Sequence, residues 1–476
     1  MNDITQPSFY FHDYETFGTD PAFDRPAQFA GIRTDMNLNI IEEPLVIYCK
    51  QAPDYLPNPE AVLITGITPQ EALQKGLCET EFTNQIHSAF SVPNTCILGY
   101  NNIRFDDEVT RNILYRNFYD PYAYSWKNGN SRWDLLDVVR ACYALRPDGI
   151  NWPINDNGYA SFRLEDLSQA NNISHENAHD AMSDVYATIA ITKLIKQKQP
   201  KLFDYFFSLR NKNKVAELIN IIAMTPLVHI SGMLGAHRGN TTLIAPLIWH
   251  PNQPNAVVVC DLTGDIDLLL TLTPEQIQQR LYTKTADLAD DEHRIPLKLV
   301  HINKCPIIAP AKTLSEENAS RLAIDLELCY TNLTKLQAAQ QIIQDKMQTV
   351  FNEKMTYQVQ QDVDGQIYQG FFDGYDKSLC DLIRQTEANC LDTLTITPHD
   401  NRLKTLFFRY KARNYPHLLN ESEKIQWQDH CRDKLSDEVV RHYLVTLEDL
   451  ANQYQQQPQK LNLLKNLYHY CQYLVS

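Results

Sequence analysis

At roughly 100–200 residues per domain, a chain of 476 residues implies two to four domains and excludes a single small module. Apolar residues make up 43% and charged residues 21%, as in globular chains, which excludes a disordered or fibrous polymer. Acidic residues outnumber basic ones 58 to 43, for a formal charge of −15; this opposes encounter with a polyanion overall but does not say where the positive charge lies.

The first ~190 residues alternate β-rich apolar runs (SFYFHDYET, AQFAGIRTD, EPLVIYCK, CILGYNN) with helical patterns, which is α/β patterning. In ITPQEAL, Thr68 is placed to cap a helix with Pro69 at its first position, and amphipathic helices are expected over 106–119, 133–145 and 180–197. A break near 197–214 carries Lys193, Lys196, Lys198, Lys201, Arg210, Lys212 and Lys214 against one acid, Asp204, and marks the first boundary. From about 215 to 310 short apolar strands punctuated by Gly, Pro and Asn predict a small barrel or sandwich, and 314–354 reads as helical and Gln-rich. The polar segment 355–366 is the second boundary, and the rest is helical pattern. Three domains are expected, over 8–192, 198–352 and 355–476, giving α/β plus β-barrel plus α as the fold class.

No run approaches the ~18 apolar residues of a membrane span, and MNDITQPSF has neither the basic flank nor the apolar stretch of a signal peptide, so a cytoplasmic protein with no membrane association is expected. The eleven scattered cysteines show neither C-x-x-C nor zinc spacing and read as reduced thiols.

Four acids and a histidine, at three places along the chain, carry the chemistry. Asp13 and Glu15, two apart near the end of the first strand, project from one face, and an oxygen-only pair suits hard ions such as Mg²⁺ or Mn²⁺. Asp106 follows a buried strand at a helix start, and His179 precedes Asp184 by five residues at the entry to another helix. Each also has a structural reading: solvated strand-end acids, a first-turn acid favoured by the helix dipole, a capping histidine.

Between Arg104 and Arg146 the chain interleaves Arg111, Arg116, Lys127, Arg132 and Arg140 with Tyr115, Phe118, Tyr119, Tyr122, Tyr124, Trp126 and Trp133. Rings that stack bases beside cations that follow phosphates suit a single strand, although at least half of these rings are expected in the core; Tyr122 and Trp126, in turn-rich DPYAYSW, are expected to face solvent. Lys212, Lys214, Arg238, Lys298 and Lys304, with the aromatic pair of Gly370–Phe372, form a second set that extends such a track or is plain solvated surface.

Asp-x-Glu, a central Asp and His-x4-Asp resemble the DEDD exonuclease superfamily in its His-containing branch (DEDDh). Longer strings, among them HDYETFGTDPAFDRPAQFAGIRTD, SRWDLLDVVRACYALRP and NAHDAMSDVYATIA, resemble the bacterial exodeoxyribonuclease I family over nearly the whole chain, more patchily after about 310. The resemblance implies an RNase H-like exonuclease domain, an SH3-like barrel and a helical C-terminal domain. It implies 3′-to-5′ degradation of single-stranded DNA to mononucleotides, in DNA repair, by a monomer. With two Mg²⁺ ions, or Mn²⁺ in their place, Asp13 and Asp184 take the ion that holds the water. Glu15 then bridges both ions and meets the terminal nucleotide, Asp106 supports the second ion or orients the scissile phosphate, and His179 is the general base. By the same resemblance Arg163, Arg111 and Arg140 contact substrate, to which the solvent-facing rings Tyr122 and Trp126 are added from their own segment, and Arg146 and Tyr205 belong to a pocket for the acidic tail of single-stranded DNA-binding protein. The alternatives are an RNA-trimming 3′-to-5′ exoribonuclease, because the constellation does not distinguish sugars, and a non-catalytic single-strand-binding module.

Overall fold

The computed structural model describes residues 6–174, 180–289, 292–352 and 360–476. It divides into two compact units: Met1–Ser131 with His175–Tyr186 and Gln358–Ser476, and Arg132–Ser174 with Ala187–Tyr357.

In the first unit β1 (Ser8–Thr16), β2 (Pro26–Asp35), β3 (Leu45–Tyr48) and β4 (Thr95–Gly99) lie in the order β3-β2-β1-β4. The first three run antiparallel, and β4 returns parallel to β1 after the helix Glu79–Phe90, the crossover a parallel pair requires. Covered on both faces, β1 is buried at every position except the partly open Asp13. Its register pairs Asp13 with Ala30 and Glu15 with Gln28, and breaks at a bulge between Glu15 and Thr16. Tyr14 alternates to the opposite face, where it joins Phe29, Phe82 and Phe90 in a core closed by Val109, Ile113 and Leu114 of the helix Asp106–Arg116.

Local rules explain most boundaries. Thr68 caps its helix as expected, accepting the Glu71 N–H at 3.2 Å with Pro69 in the first turn. The helix expected to reach 119 stops at Arg116, because the Asn117 amide turns back to the Ile113 carbonyl at 2.8 Å and Phe118 takes a left-handed φ of 63°.

The C-terminal helices Arg402–Asn414, Asp437–Gln453 and Pro458–Val475 pack on the same unit through two apolar seams. Tyr115 and Phe118 meet Leu403, Leu406 and Phe407, while Phe17, Ala27 and Val62 meet Tyr443, Leu447 and Leu467. A buried ionic network joins them: Arg413 donates to Asp54 at 2.7 Å and to Asp364 at 2.5 Å, Arg25 reaches Asp364 at 3.3 Å, and Arg116 pairs with Glu79 at 3.0 Å.

The chain enters the second unit within β5 (Ser131–Asp134). Trp133, expected in a helix, stays in this strand with its indole 5.2 Å from the rings of Phe203 and Phe207. Asp134 then caps the helix Leu135–Leu145 by accepting the Leu136 N–H at 3.0 Å, so the cap sets the start two residues later than apolar periodicity suggested. The β region forms one antiparallel five-stranded sheet of β6 (Leu227–Ile230), β7 (Thr241–Trp249), β8 (Ala256–Asp261), β9 (Leu297–His301) and β10 (Ile307–Pro310), in the order β10-β6-β7-β8-β9. The helices Leu326–Ala338 and Gln340–Asn352 follow, and the Lys346 ammonium donates to the carbonyls of Leu269, Leu270 and Leu272 at 2.7–3.1 Å, closing the end of a short helix. Among the described residues no helix is long and apolar enough to cross a membrane, and the eleven cysteines are free thiols.

Candidate active site

Strand period two aims Asp13 and Glu15 from one face of β1, and Asp184 joins them from the first turn of the helix Ala181–Lys198. Carboxylate oxygens of the three lie within 4.8 Å of one another. Asp106, at the first position of its helix, is buried, and its Oδ1 accepts the Tyr14 N–H at 3.1 Å, which anchors it to β1 across 92 residues of chain. The Tyr14 hydroxyl in turn lies 3.0 Å from the Thr110 hydroxyl, one turn further along that helix. Strand and helix are thus pinned together at the residue between the two β1 acids.

The electrostatics of this cluster are one-sided. Burial holds Asp13 well above the usual carboxylate range, and the charges of Asp106, Glu15, Asp184 and Asp180 add to the effect. Glu15 is pushed up to about 9, first by burial and then by Asp184, Asp106 and Asp180. Among the described residues the charged groups that act on these two are acids, so like charge gathers at the site. A hard divalent cation fits such a set: all donors are oxygens, they converge, and an ion would remove the repulsion.

His179, the expected general base, lies outside the described residues. Its neighbour Asp180 was not singled out from the sequence, yet it acts on both Asp13 and Glu15 and accepts the Ser183 N–H at 3.2 Å as its helix opens. An acid directly after the histidine was the available signal.

The other predicted positions spread over both units. In the first, Tyr115, Phe118 and Tyr124 are buried, whereas Trp126 is 64% exposed. Tyr122 is half-buried rather than solvent-facing, because the Arg111 guanidinium lies 5.4 Å from its ring centre and Phe371 meets it edge-on at 5.8 Å. Arg111 is itself buried and paired with Glu108. Tyr122, Trp126, Phe371, Lys377 and Arg384 line a cavity of about 480 Å³.

In the second unit Arg140 pairs with Asp137 at 2.5 Å, and the exposed Arg163 pairs with Glu165 at 2.8 Å. Lys212, Lys214 and Lys304 are exposed, while Arg238 and Lys298 are half-buried, Arg238 lying 3.5 Å from Asp261. Arg146 and Tyr205 line one cavity of about 460 Å³ with Lys201 and Thr313.

A second acidic cluster, Asp373, Asp376 and His399, has a different character. Asp373 caps the helix Gly374–Gln385 by accepting the Asp376 N–H at 2.8 Å, and the two Asp376 oxygens accept the N–H groups of His399 and Asp400 at 2.9 Å. These oxygens are engaged by backbone donors, so the cluster reads as a helix cap and loop anchor.

Three family models match successive parts of the chain: Exonuclease over residues 10–192, Exonuclease I SH3-like domain over 210–353 and Exonuclease I C-terminal domain over 361–474. The chain is 55% identical over 476 residues to Exodeoxyribonuclease I of Escherichia coli (strain K12), covering 100% of both chains. Among solved structures, E. coli Exonuclease I in complex with a dA16 oligonucleotide superposes with a TM-score of 0.97 at 55% identity, over 98% of this chain and 100% of that one. An ExoI/SSB-Ct complex superposes with a TM-score of 0.94 at 54% identity, over 99% and 100%.

Proposed function

We propose, from the premise that the chain belongs to the exodeoxyribonuclease I family, that it degrades single-stranded DNA from the 3′ end to 5′-mononucleotides, using two divalent ions for which Mg²⁺ is the first choice and Mn²⁺ the substitute. The observation that carries this reading is the convergence of Asp13, Glu15 and Asp184, with Asp106 tied to the same strand, in a largely enclosed cluster where, among the described residues, acids act on Asp13 and Glu15. When bound there, the ions would neutralise charge growing on the phosphate, acidify the attacking water and stabilise the leaving 3′ oxygen.

The chain's own residues do the rest. Asp13, Glu15 and Asp184 would hold the ions, Glu15 would also meet the terminal nucleotide, and Asp106, in a position set by the Tyr14 amide, would support an ion or orient the scissile phosphate. The Tyr14 tether on Asp106 and the seating of Asp13 and Glu15 on a packed strand mean that little reorganisation is needed as charge develops. His179 accepts the proton of the attacking water, a role suited to an imidazole titrating near neutrality. Arg163 contacts substrate with Arg111 and Arg140, and bases stack on Trp126 and Tyr122. The solved relatives that hold an oligonucleotide and SSB-Ct support single-stranded DNA as substrate and single-stranded DNA-binding protein as partner, and the cavity at Arg146, Tyr205 and Lys201 is the seat we assign to its acidic tail, on the ground of the cations Arg146 and Lys201. The domain borders proposed are 8–192, 198–352 and 355–476, for a cytoplasmic monomer acting in DNA repair.

The test is a 3′-labelled DNA strand incubated with Mg²⁺, beside matched RNA, duplex and EDTA controls. Label release from the single DNA strand alone, abolished by EDTA, is expected. Preferential RNA cleavage would point to an exoribonuclease, and tight binding without cleavage to a silent clamp. His179→Ala should slow turnover about a hundredfold or more while leaving strand affinity intact. Asp13→Ala or Asp184→Ala should abolish cleavage whatever the divalent ion.

A further inference from the structure

Glu108 and Tyr368 have no task in the reaction as described. Glu108 stands in the first turn of the helix Asp106–Arg116, and its carboxylate serves two donors at once: Oε1 accepts from Arg111 Nη1, and Oε2 accepts from the Tyr368 hydroxyl. Tyr368 ends the turn Val363–Tyr368, 260 residues further along the chain. On the other side, Arg111 covers the Tyr122 ring, and that ring meets Phe371 at 5.8 Å and 71°, just beyond Tyr368. One carboxylate therefore closes a circuit running Tyr368, Glu108, Arg111, Tyr122, Phe371.

The circuit has physical consequences. A guanidinium as buried as that of Arg111 is costly without an anion beside it, and Glu108 supplies one. Phe371 is 80% exposed and Trp126 64%, and both line the same cavity. Large rings facing water beside a cation suit a stacking surface, and such a surface binds better when its parts are already in place.

We propose that Glu108 is a positioning residue for substrate binding: its two oxygens hold Arg111 over Tyr122 and draw the turn carrying Phe371 alongside, so that the shelf for a single strand is assembled before the strand arrives. This rests on the exonuclease reading for what the shelf binds. Neither Glu108 nor Tyr368 touches the reacting phosphate in this assignment. Glutamate is required because two donors need two acceptor oxygens, and glutamine offers one acceptor and presents an amide N–H₂ to the other donor.

The experiment compares Glu108→Gln and Tyr368→Phe with the unmodified chain, using a short labelled single strand. Glu108→Gln should raise KM about tenfold with kcat changed less than about twofold, and Tyr368→Phe, which loses one hydroxyl and keeps the ring, should raise KM about threefold. In an Arg111→Ala background, Glu108→Gln should add no more than about twofold, because its effect passes largely through that arginine. The same shifts are read as Kd from fluorescence anisotropy in EDTA, so the inference is tested even if the unmodified chain cleaves nothing, an outcome that would sink the exonuclease reading instead. An unchanged or lowered Kd in both variants, a kcat loss as large as the KM change, or full additivity with Arg111→Ala would overturn the role given to Glu108.

Discussion

Two groups of buried carboxylates in the first unit are built on opposite electrostatic plans. Around Asp13 and Glu15 the charges that act among the described residues are other acids, and both groups are held far above their ordinary range. Asp54 and Asp364 are more deeply enclosed, yet Arg413 and Arg25 hold both well below theirs, with His430 helping at Asp54 and Arg409 at Asp364. The second group completes its own charge balance and fastens the C-terminal helices to the sheet. Among the described residues the first leaves its balance open, which costs stability in the isolated chain and suits a cation from solution. Burial alone therefore does not distinguish a structural carboxylate from a functional one; the sign of its neighbours does.

Removing one acid from each group should separate them most sharply. Asp364→Ala leaves Arg413, Arg25 and Arg409 facing one another without their shared anion and should cost about 3–5 kcal/mol, read from urea unfolding. Asp13→Asn should instead raise the melting temperature of the metal-free chain, because, while conserving shape, it deletes a carboxyl that on folding must either take up a proton or hold charge against its neighbours, and should abolish cleavage. An Asp13→Asn protein less stable than the parent in EDTA would contradict the open-balance reading.

The pH dependence of metal-free stability should show both groups at once. Glu15 titrates higher in the folded than in the unfolded state, so the unfolded chain loses its proton first and stability declines as pH rises from about 4.5 toward about 9. Asp54 and Asp364 are lowered on folding, so their contribution is present above about 4 and is lost as pH falls below it. A melting-temperature maximum near pH 5 is expected in EDTA, with the alkaline decline flattened by Mg²⁺ or by Glu15→Gln; a decline that persists in both would place its cause elsewhere. A related, smaller signal is proton release: Mg²⁺ binding at neutral pH should liberate protons from the acid cluster, detected by calorimetry in buffers of different ionisation enthalpy.

The smallest effect belongs to an exposed pair. Arg432 and Asp429 are 3.0 Å apart on the helix Glu421–Lys434 with both side chains largely in solvent. Arg432→Ala should move stability by no more than about 0.5 kcal/mol, which calibrates the Asp364 result against an ion pair without burial.

What the sequence determined by itself were features of short range and strong period. Strand alternation put Asp13 and Glu15 on one face, Thr68 and Pro69 announced a helix start, and the interleaved cations and rings marked the segment that carries Trp126. The family resemblance extended that reading to the fold of each part. Periodicity failed where a local hydrogen bond outweighed it, as when Asp134 capped a helix that apolar spacing had begun at Trp133 and Asn117 ended one expected to continue.

Only the tertiary structure decided the pairings between distant segments. That Tyr14 donates its amide to Asp106, that Arg413 finds Asp54 across 359 residues, and that Glu108 bridges Arg111 to Tyr368 depend on how the strand, helices and C-terminal turns pack. Backbone geometry sets which face a side chain takes over a few residues, whereas the partner it meets, and so the sign of the field it feels, is a property of the assembled core.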